Sequence, residues 1–232
     1  GLNSMRSTSF SEIEDIKKVR QIFRSVIRSD PSHARGWIAL ALLEEQAGRT
    51  VAARNVINEA CEKCPKNDDV WLQAARLHPP EKGKIILATA VRHVPQSVNV
   101  WVEAANLEND VTKRKAVLRK ALEFIPNSVK IWKTLIDLEK NSEEARILLS
   151  HAVECIPRDA DMWIALAKLE TYENARRVLN RAREFLPSEP LIWITAAQLS
   201  EVNKDEMTSR IIVRAVGALQ ASKVQVGREK WL

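Results

Sequence analysis

Six times along this chain a proline is followed, six residues later, by a tryptophan: Pro31 and Trp37, Pro65 and Trp71, Pro95 and Trp101, Pro126 and Trp132, Pro157 and Trp163, Pro187 and Trp193. The prolines stand 34, 30, 31, 31 and 30 residues apart. Such a period marks a repeat architecture, in which one supersecondary unit buries its apolar face only by stacking on the next. Other columns keep the same register. Four residues after the tryptophan stand Ala41, Ala75, Ala105, Ile136, Ala167 and Ala197, and six after it Leu43, Leu77, Leu107, Leu138, Leu169 and Leu199. Seven after it stand Glu44, Glu108, Glu139 and Glu170, with His78 and Ser200 as exceptions. Tryptophan, alanine and leucine at these offsets predict the buried side of one helix, A.

A second helix, B, precedes each proline. Positions one, four, five and eight before it are mostly apolar, as in Leu118, Ala121, Leu122 and Ile125, which draws a stripe down a helix. The proline ends helix B, because it lacks an N–H and drives the preceding residue out of helical geometry. Two residues on, Asn67, Ser97, Ser128 and Asp159 suit the N-cap of the next helix A. In the sixth repeat Pro190 stands one position later, where the first helical turn tolerates it. Only six glycines occur in 232 residues, too few for the many turns of an all-β protein.

The expected fold is therefore all-α. It is an α-solenoid, or superhelix, of antiparallel helix pairs, about 13 helices in all. Residues 1–11 read as a disordered N-terminal segment, the first four an expression scar, and residues 12–232 as a single solenoid. The N-terminal helix has the B pattern without an A partner, and the seventh tryptophan, Trp231, stands one residue from the end. That reads as a fragment of a longer array with a truncated last repeat. The tryptophans and prolines are the expected anchors of the repeat.

One polar column remains. Eleven residues before each proline stands a base: Arg20, Arg54, Lys84, Lys115, Arg146 and Arg176. In the complete repeats it opens helix B shortly after the glutamate that closes helix A. This suggests ion pairs across the turn among Glu44, Arg54, Glu108, Lys115, Glu139, Arg146, Glu170 and Arg176, for example Glu170 with Arg176. A solvated pair of little energetic consequence is the alternative.

The remaining chemistry-bearing residues narrow the function classes. Cys61 and Cys64 form a CxxC, yet they occupy columns that hold isoleucine, valine or leucine elsewhere, so both read as packing. A zinc site would need two more donors, for which His78 and His93 are the candidates. Cys155 carries no motif. The four histidines fall in unrelated columns, and no phosphate loop or catalytic motif occurs, so neither an enzyme nor a metal or cofactor is expected. No apolar run approaches the ~20 residues that span a bilayer. The net charge is +6, with basic clusters at Lys113-Arg114-Lys115, Arg119-Lys120 and Arg176, Arg177, Arg181, Arg183. They could meet nucleic-acid phosphates. A solvated face is the stronger reading, because the tryptophans are committed to the core column and single-strand readers need aromatic platforms.

The tetratricopeptide repeat carries glycine and tyrosine where this chain has alanine and glutamate. The run WIALAKLETYENARRVLNRAREFLP, residues 163–187, resembles the HAT (half-a-TPR) repeat instead: helix-A tryptophan, closing glutamate, "AR" opening helix B, then proline. The runs AVRHVPQSV, VLRKALEFIPNSVKIW and LSHAVECIPRDADMWIALAKLE extend the resemblance, over nearly all of residues 12–232, to the HAT arrays of a spliceosomal protein family of the tri-snRNP. The resemblance implies a nuclear protein-binding scaffold in pre-mRNA splicing, bridging proteins of the U5 particle to those of the U4/U6 particle, with direct RNA contact secondary. An RNA-binding or self-associating HAT scaffold of another RNA-processing complex, such as 3′-end processing, is the alternative.

Overall fold

The structure is a computed structural model that describes residues 10–204 and 207–222, with side chains from residue 14 onward. Residues 1–9 and Trp231 lie outside the described residues, so the expectations placed on them do as well. Among the described residues there are 13 helices and no strand, an all-α array of helix pairs. Contacts between residues divide the chain into two compact units, Gly1–Ile125 and Pro126–Leu232.

The first unit holds α1 (Phe10–Ser29), α2 (Ala34–Gln46), α3 (Thr50–Lys63), α4 (Asp68–Leu77), α5 (Pro80–His93), α6 (Val98–Asn106) and α7 (Val111–Phe124). Each helix packs on the next in sequence, and the A helices α2, α4 and α6 also pack on one another in series. The second unit holds α8 (Val129–Asp137), α9 (Ser142–Cys155), α10 (Ala160–Leu169), α11 (Tyr172–Phe185), α12 (Pro190–Val202) and α13 (Thr208–Ala221). There α10 packs on α9, α11 and α12.

The junctions follow from the chain's own signals. Cys64, Val94, Ile125, Ile156 and Leu186 close the B helices, each one residue before proline, and each donates its N–H to the carbonyl of an alanine four residues back. The side chains of Asn67, Ser97, Ser128 and Asp159 accept the backbone N–H three residues on, so each caps the following helix. The A–B turns are as short. Gly48 enters the left-handed region at φ 74° in the α2–α3 turn, which glycine adopts without a Cβ clash. Gly83 lets α5 approach α4, since a Cβ there would lie 3.2 Å from the Ala75 carbonyl oxygen.

All six tryptophans are buried. So is the residue before each of them (Gly36, Val70, Val100, Ile131, Met162 and Ile192), a column the sequence reading did not single out. The position six after the tryptophan is more variable than expected. Leu77 is buried, whereas Leu169 is 40% exposed. In four repeats that leucine is the last helical residue or the C-cap, where packed neighbours on one side run out.

Candidate interaction surface

The six-residue offset between proline and tryptophan has a hydrogen bond behind it. In every repeat the indole N–H donates to the carbonyl of its own proline, at 2.9 Å for Trp37, Trp163 and Trp193 and 2.8 Å for Trp71, Trp101 and Trp132. Helix B ends just before the proline and helix A begins three residues after it. The indole thus ties the junction to the helix that follows and satisfies its own polar atom in the core. Three rings also stack on the residue two before the next proline: Trp71 on His93, Trp101 on Phe124 and Trp163 on Phe185, with centroids 5.4, 5.6 and 6.0 Å apart.

The polar column runs between repeats rather than across the turn within one. Arg20 of α1 forms a two-pronged pair with Glu44 of α2, one prong at 3.1 Å, and Arg49 adds a second cationic group at 3.4 Å. Lys84 reaches Glu108 at 3.7 Å, and Arg146 reaches Glu170 at 2.9 Å. Each base thus meets the glutamate that ends the next repeat's helix A. Glu170 is taken by Arg146 and Asn174, while Arg176 is placed beside Glu173 at 3.8 Å and over the Tyr172 ring. The expected pairings of Glu170 with Arg176 and of Glu139 with Arg146 are corrected accordingly. Where His78 replaces glutamate, Arg54 donates to the Leu77 carbonyl at 2.7 Å instead. Lys115 and Glu139 belong to different units. Arg114, the base beside Lys115, donates to the Glu108 carbonyl across the α6–α7 turn at 2.6 Å.

The two cysteines of the CxxC sit in packing. Cys61 is half-buried and Cys64 buried. The Cys64 thiol lies 3.5 Å from the Pro31 carbonyl, the one that also accepts from Trp37, so it serves as a weak donor rather than a bare hydrophobe. Burial first, then the neighbouring Cys64 and Glu62, push the Cys61 thiol up to about 12. Burial and then Asp30 push Cys64 up as well. Among the described residues no cluster of three metal-ligating side chains forms.

The first unit carries an apolar groove of ≈460 Å³ between α5, α6 and α7. Its floor includes Leu87, Val91, Trp101 and Val117. Phe124 closes one side; it stacks on Trp101 with one face yet remains 42% exposed. The expectation that the tryptophans are committed to the core left Phe124 out, although it stands in a column with Lys63 and His93, residue types that favour an outward position. Lys84, Arg92, Lys120 and Glu108 rim the groove. Glu108 is engaged by Lys84, so the remaining charge on the rim, from Arg92 and Lys120, is positive. An apolar floor with a basic rim suits a segment that carries an apolar anchor beside acidic residues.

A family model described as tetratricopeptide repeat matches residues 34–77. That stretch contains Trp37 and Trp71, the one pair of successive tryptophans 34 residues apart, which is the tetratricopeptide length. Pre-mRNA-splicing factor 6 of Saccharomyces cerevisiae is 40% identical over 223 residues, 94% of this chain and 25% of that protein. Pre-mRNA-processing factor 6 of Homo sapiens is 52% identical over 114 residues, 49% of this chain and 12% of that protein. Pre-mRNA-splicing factor prp1 of Schizosaccharomyces pombe is 45% identical over 114 residues, 49% of this chain and 13% of that protein. This chain is similar to the pre-mRNA-processing factor 6 proteins. The matched relatives are pre-mRNA processing or splicing factors by name, and the chain spans a quarter or less of their length. The similarity to the yeast protein runs through both units, so it concerns the array rather than one repeat.

Proposed function

We propose that this chain is a non-catalytic docking segment of a nuclear splicing scaffold, one that helps hold proteins of the U5 and U4/U6 particles together in the tri-snRNP. The similarity to splicing factor 6 over 94% of the chain supports the setting. The basic-rimmed groove supports the mechanism, because rigid helix pairs display an apolar floor that a partner segment can fill without any chemical step. The test is capture of named U5 and U4/U6 proteins from nuclear extract by the wild-type chain and by Phe124→Ala and Lys120→Glu, with and without nuclease. Both substitutions lie on exposed side chains, so circular dichroism should show an unchanged fold. Loss of capture in both variants with nuclease present supports protein docking; equal capture by all three chains refutes the groove as the docking site.

One observation favours a second reading. The exposed face of Phe124 beside Arg92 and Lys120 is the kind of aromatic platform that single-stranded nucleic acid stacks on. Capture that disappears on nuclease treatment, with steep salt dependence of RNA binding by the purified chain, would select this reading.

A further inference from the structure

The sixth repeat breaks its own pattern in two places, and the structure brings both breaks together with an arginine of the helix that follows. Arg183 stands four residues before Pro187, where the other repeats hold Ile27, Cys61, Val91, Leu122 and Val153. Ser200 stands where four of the repeats end helix A with glutamate. Arg214 of α13 has no counterpart in those columns. All three, with Arg176, Tyr172 and Asn180, line one cavity of ≈120 Å³ walled by α11, α12 and α13, and none of the described residues lining it is acidic.

The guanidinium of Arg183 lies 4.6 Å above the ring of Trp193. The indole holds its face, so its N–H donors, which lie in the guanidinium plane, point sideways. The indole is itself fixed by its bond to Pro187. Arg183 is half-buried; burial first, and then the charge of Arg214, hold it below the ordinary arginine value. Two like charges kept close together at a partly desolvated site are an arrangement a bound anion would relieve.

We propose that this cavity binds a phosphomonoester, the phosphoserine or phosphothreonine of a segment of a partner protein. A phosphomonoester offers a near-dianion and three acceptor oxygens, which arginine forks match with paired N–H donors, and Asn180 adds a neutral one. A carboxylate would leave part of this donor set unused. An RNA phosphodiester carries a single charge and is tethered on both sides, so it suits an open groove better than a pocket walled by three helices. The site lies in the second unit and does not rest on the groove reading.

The experiment follows the arginine side-chain N–H signals of the 232-residue chain by nuclear magnetic resonance. The probes are inorganic phosphate, O-phosphoserine, glutamate and a single-stranded RNA oligonucleotide. The first two should shift the Arg183 and Arg214 signals saturably, with glutamate about tenfold weaker, the effect of losing one charged hydrogen bond. Arg214→Gln, at an exposed position, should weaken phosphoserine about tenfold by the same reasoning and leave the melting temperature unchanged. Arg183→Leu restores the apolar column residue, so it should abolish the Arg214 shift and raise the melting temperature. Three results would overturn the proposal: no saturable shift with phosphate or phosphoserine, shifts unaffected by Arg214→Gln, or a melting temperature lowered by Arg183→Leu, which would make Arg183 a structural support of Trp193. RNA binding that shifts both signals and resists displacement by phosphoserine would overturn it in favour of nucleic acid.

Discussion

Replacing Trp163 tests whether the repeat is held by indole packing alone or also by the indole–proline bond. Its side chain is 1% exposed, stacks on Phe185 and donates to the Pro157 carbonyl at 2.9 Å. Trp163→Ala removes the whole ring and should cost ~3–5 kcal/mol. Trp163→Phe keeps a ring but leaves roughly 40 Å³ unfilled, about 1 kcal/mol at the usual cavity coefficient. It also leaves the prolyl carbonyl without its donor, about 1 kcal/mol more for a half-buried acceptor that gains some water. The expected loss for phenylalanine is then ~2 kcal/mol, or about 4–8 °C in a protein of this size. A benzothienyl analogue, which places sulfur where the indole has N–H, keeps the volume and should lose only the bond's share of about 1 kcal/mol. Thermal and urea unfolding followed by far-ultraviolet circular dichroism gives the numbers. Repeat arrays can unfold in stages, so the first transition is the one to compare. A benzothienyl variant as stable as the wild type would remove the hydrogen bond from the account and leave the six-residue spacing unexplained.

Glu44 is 1% exposed and neutralises Arg20 and Arg49 at once. Glu44→Ala should therefore cost ~3 kcal/mol, with clear coupling in a double-mutant cycle with Arg20; an additive cycle would refute the pairing between repeats. The thiols should react in a fixed order. Cys155 is exposed, whereas Cys61 and Cys64 are held as thiols by raised pKa values, so iodoacetamide at neutral pH should modify Cys155 first, and mass spectrometry showing Cys61 labelled as fast would contradict its placement. Glu45 accepts from both ends of Arg76 at 2.9 and 2.6 Å, and that bond holds its carboxyl below the ordinary value. A depressed carboxylate stabilises the fold above its unfolded pKa and loses that contribution as pH falls through the folded one. Urea midpoints from about pH 6 to about pH 3 should thus fall slightly more for wild type than for Glu45→Gln, by well under 1 kcal/mol because both groups are exposed; parallel acid limbs would show the pair contributes nothing.

The parts of this fold that the sequence discloses are those set by short-range chemistry. Proline, N-cap and tryptophan all act within one junction, so their spacing is nearly constant and the helix pairs follow from it. The ion pairs were misplaced because their partners depend on which helices stack, and that is not a local property. A signal was nonetheless present. Each base of the column precedes the next repeat's Glu44, His78, Glu108, Glu139, Glu170 or Ser200 position by 24 residues, while the offset from glutamate forward to the base of the same repeat ranges from 6 to 10. A rigid tie between repeats demands a constant spacing, and only the first offset has one. Phe124 and the groove it borders were illegible for a different reason. Whether a residue at the end of helix B lies open depends on the width of the gap left by its neighbours.

The same reasoning separates structural exceptions from functional ones. His78 breaks the glutamate column, yet it is buried, its Nδ1 lies 2.8 Å from the Ala74 carbonyl, and Arg54 turns to the Leu77 carbonyl in place of the missing carboxylate. The local structure has absorbed the change at Nδ1 and at Arg54, while Nε2 is buried without a hydrogen-bond partner among the described residues. Arg183 breaks an apolar column in a way that leaves a charge half-buried beside another of the same sign. Its face is held by an aromatic ring, but among the described residues no carboxylate lines the cavity it borders. In an array where every repeat solves the same packing problem, a substitution that raises local electrostatic cost without internal compensation is the place to look for a ligand.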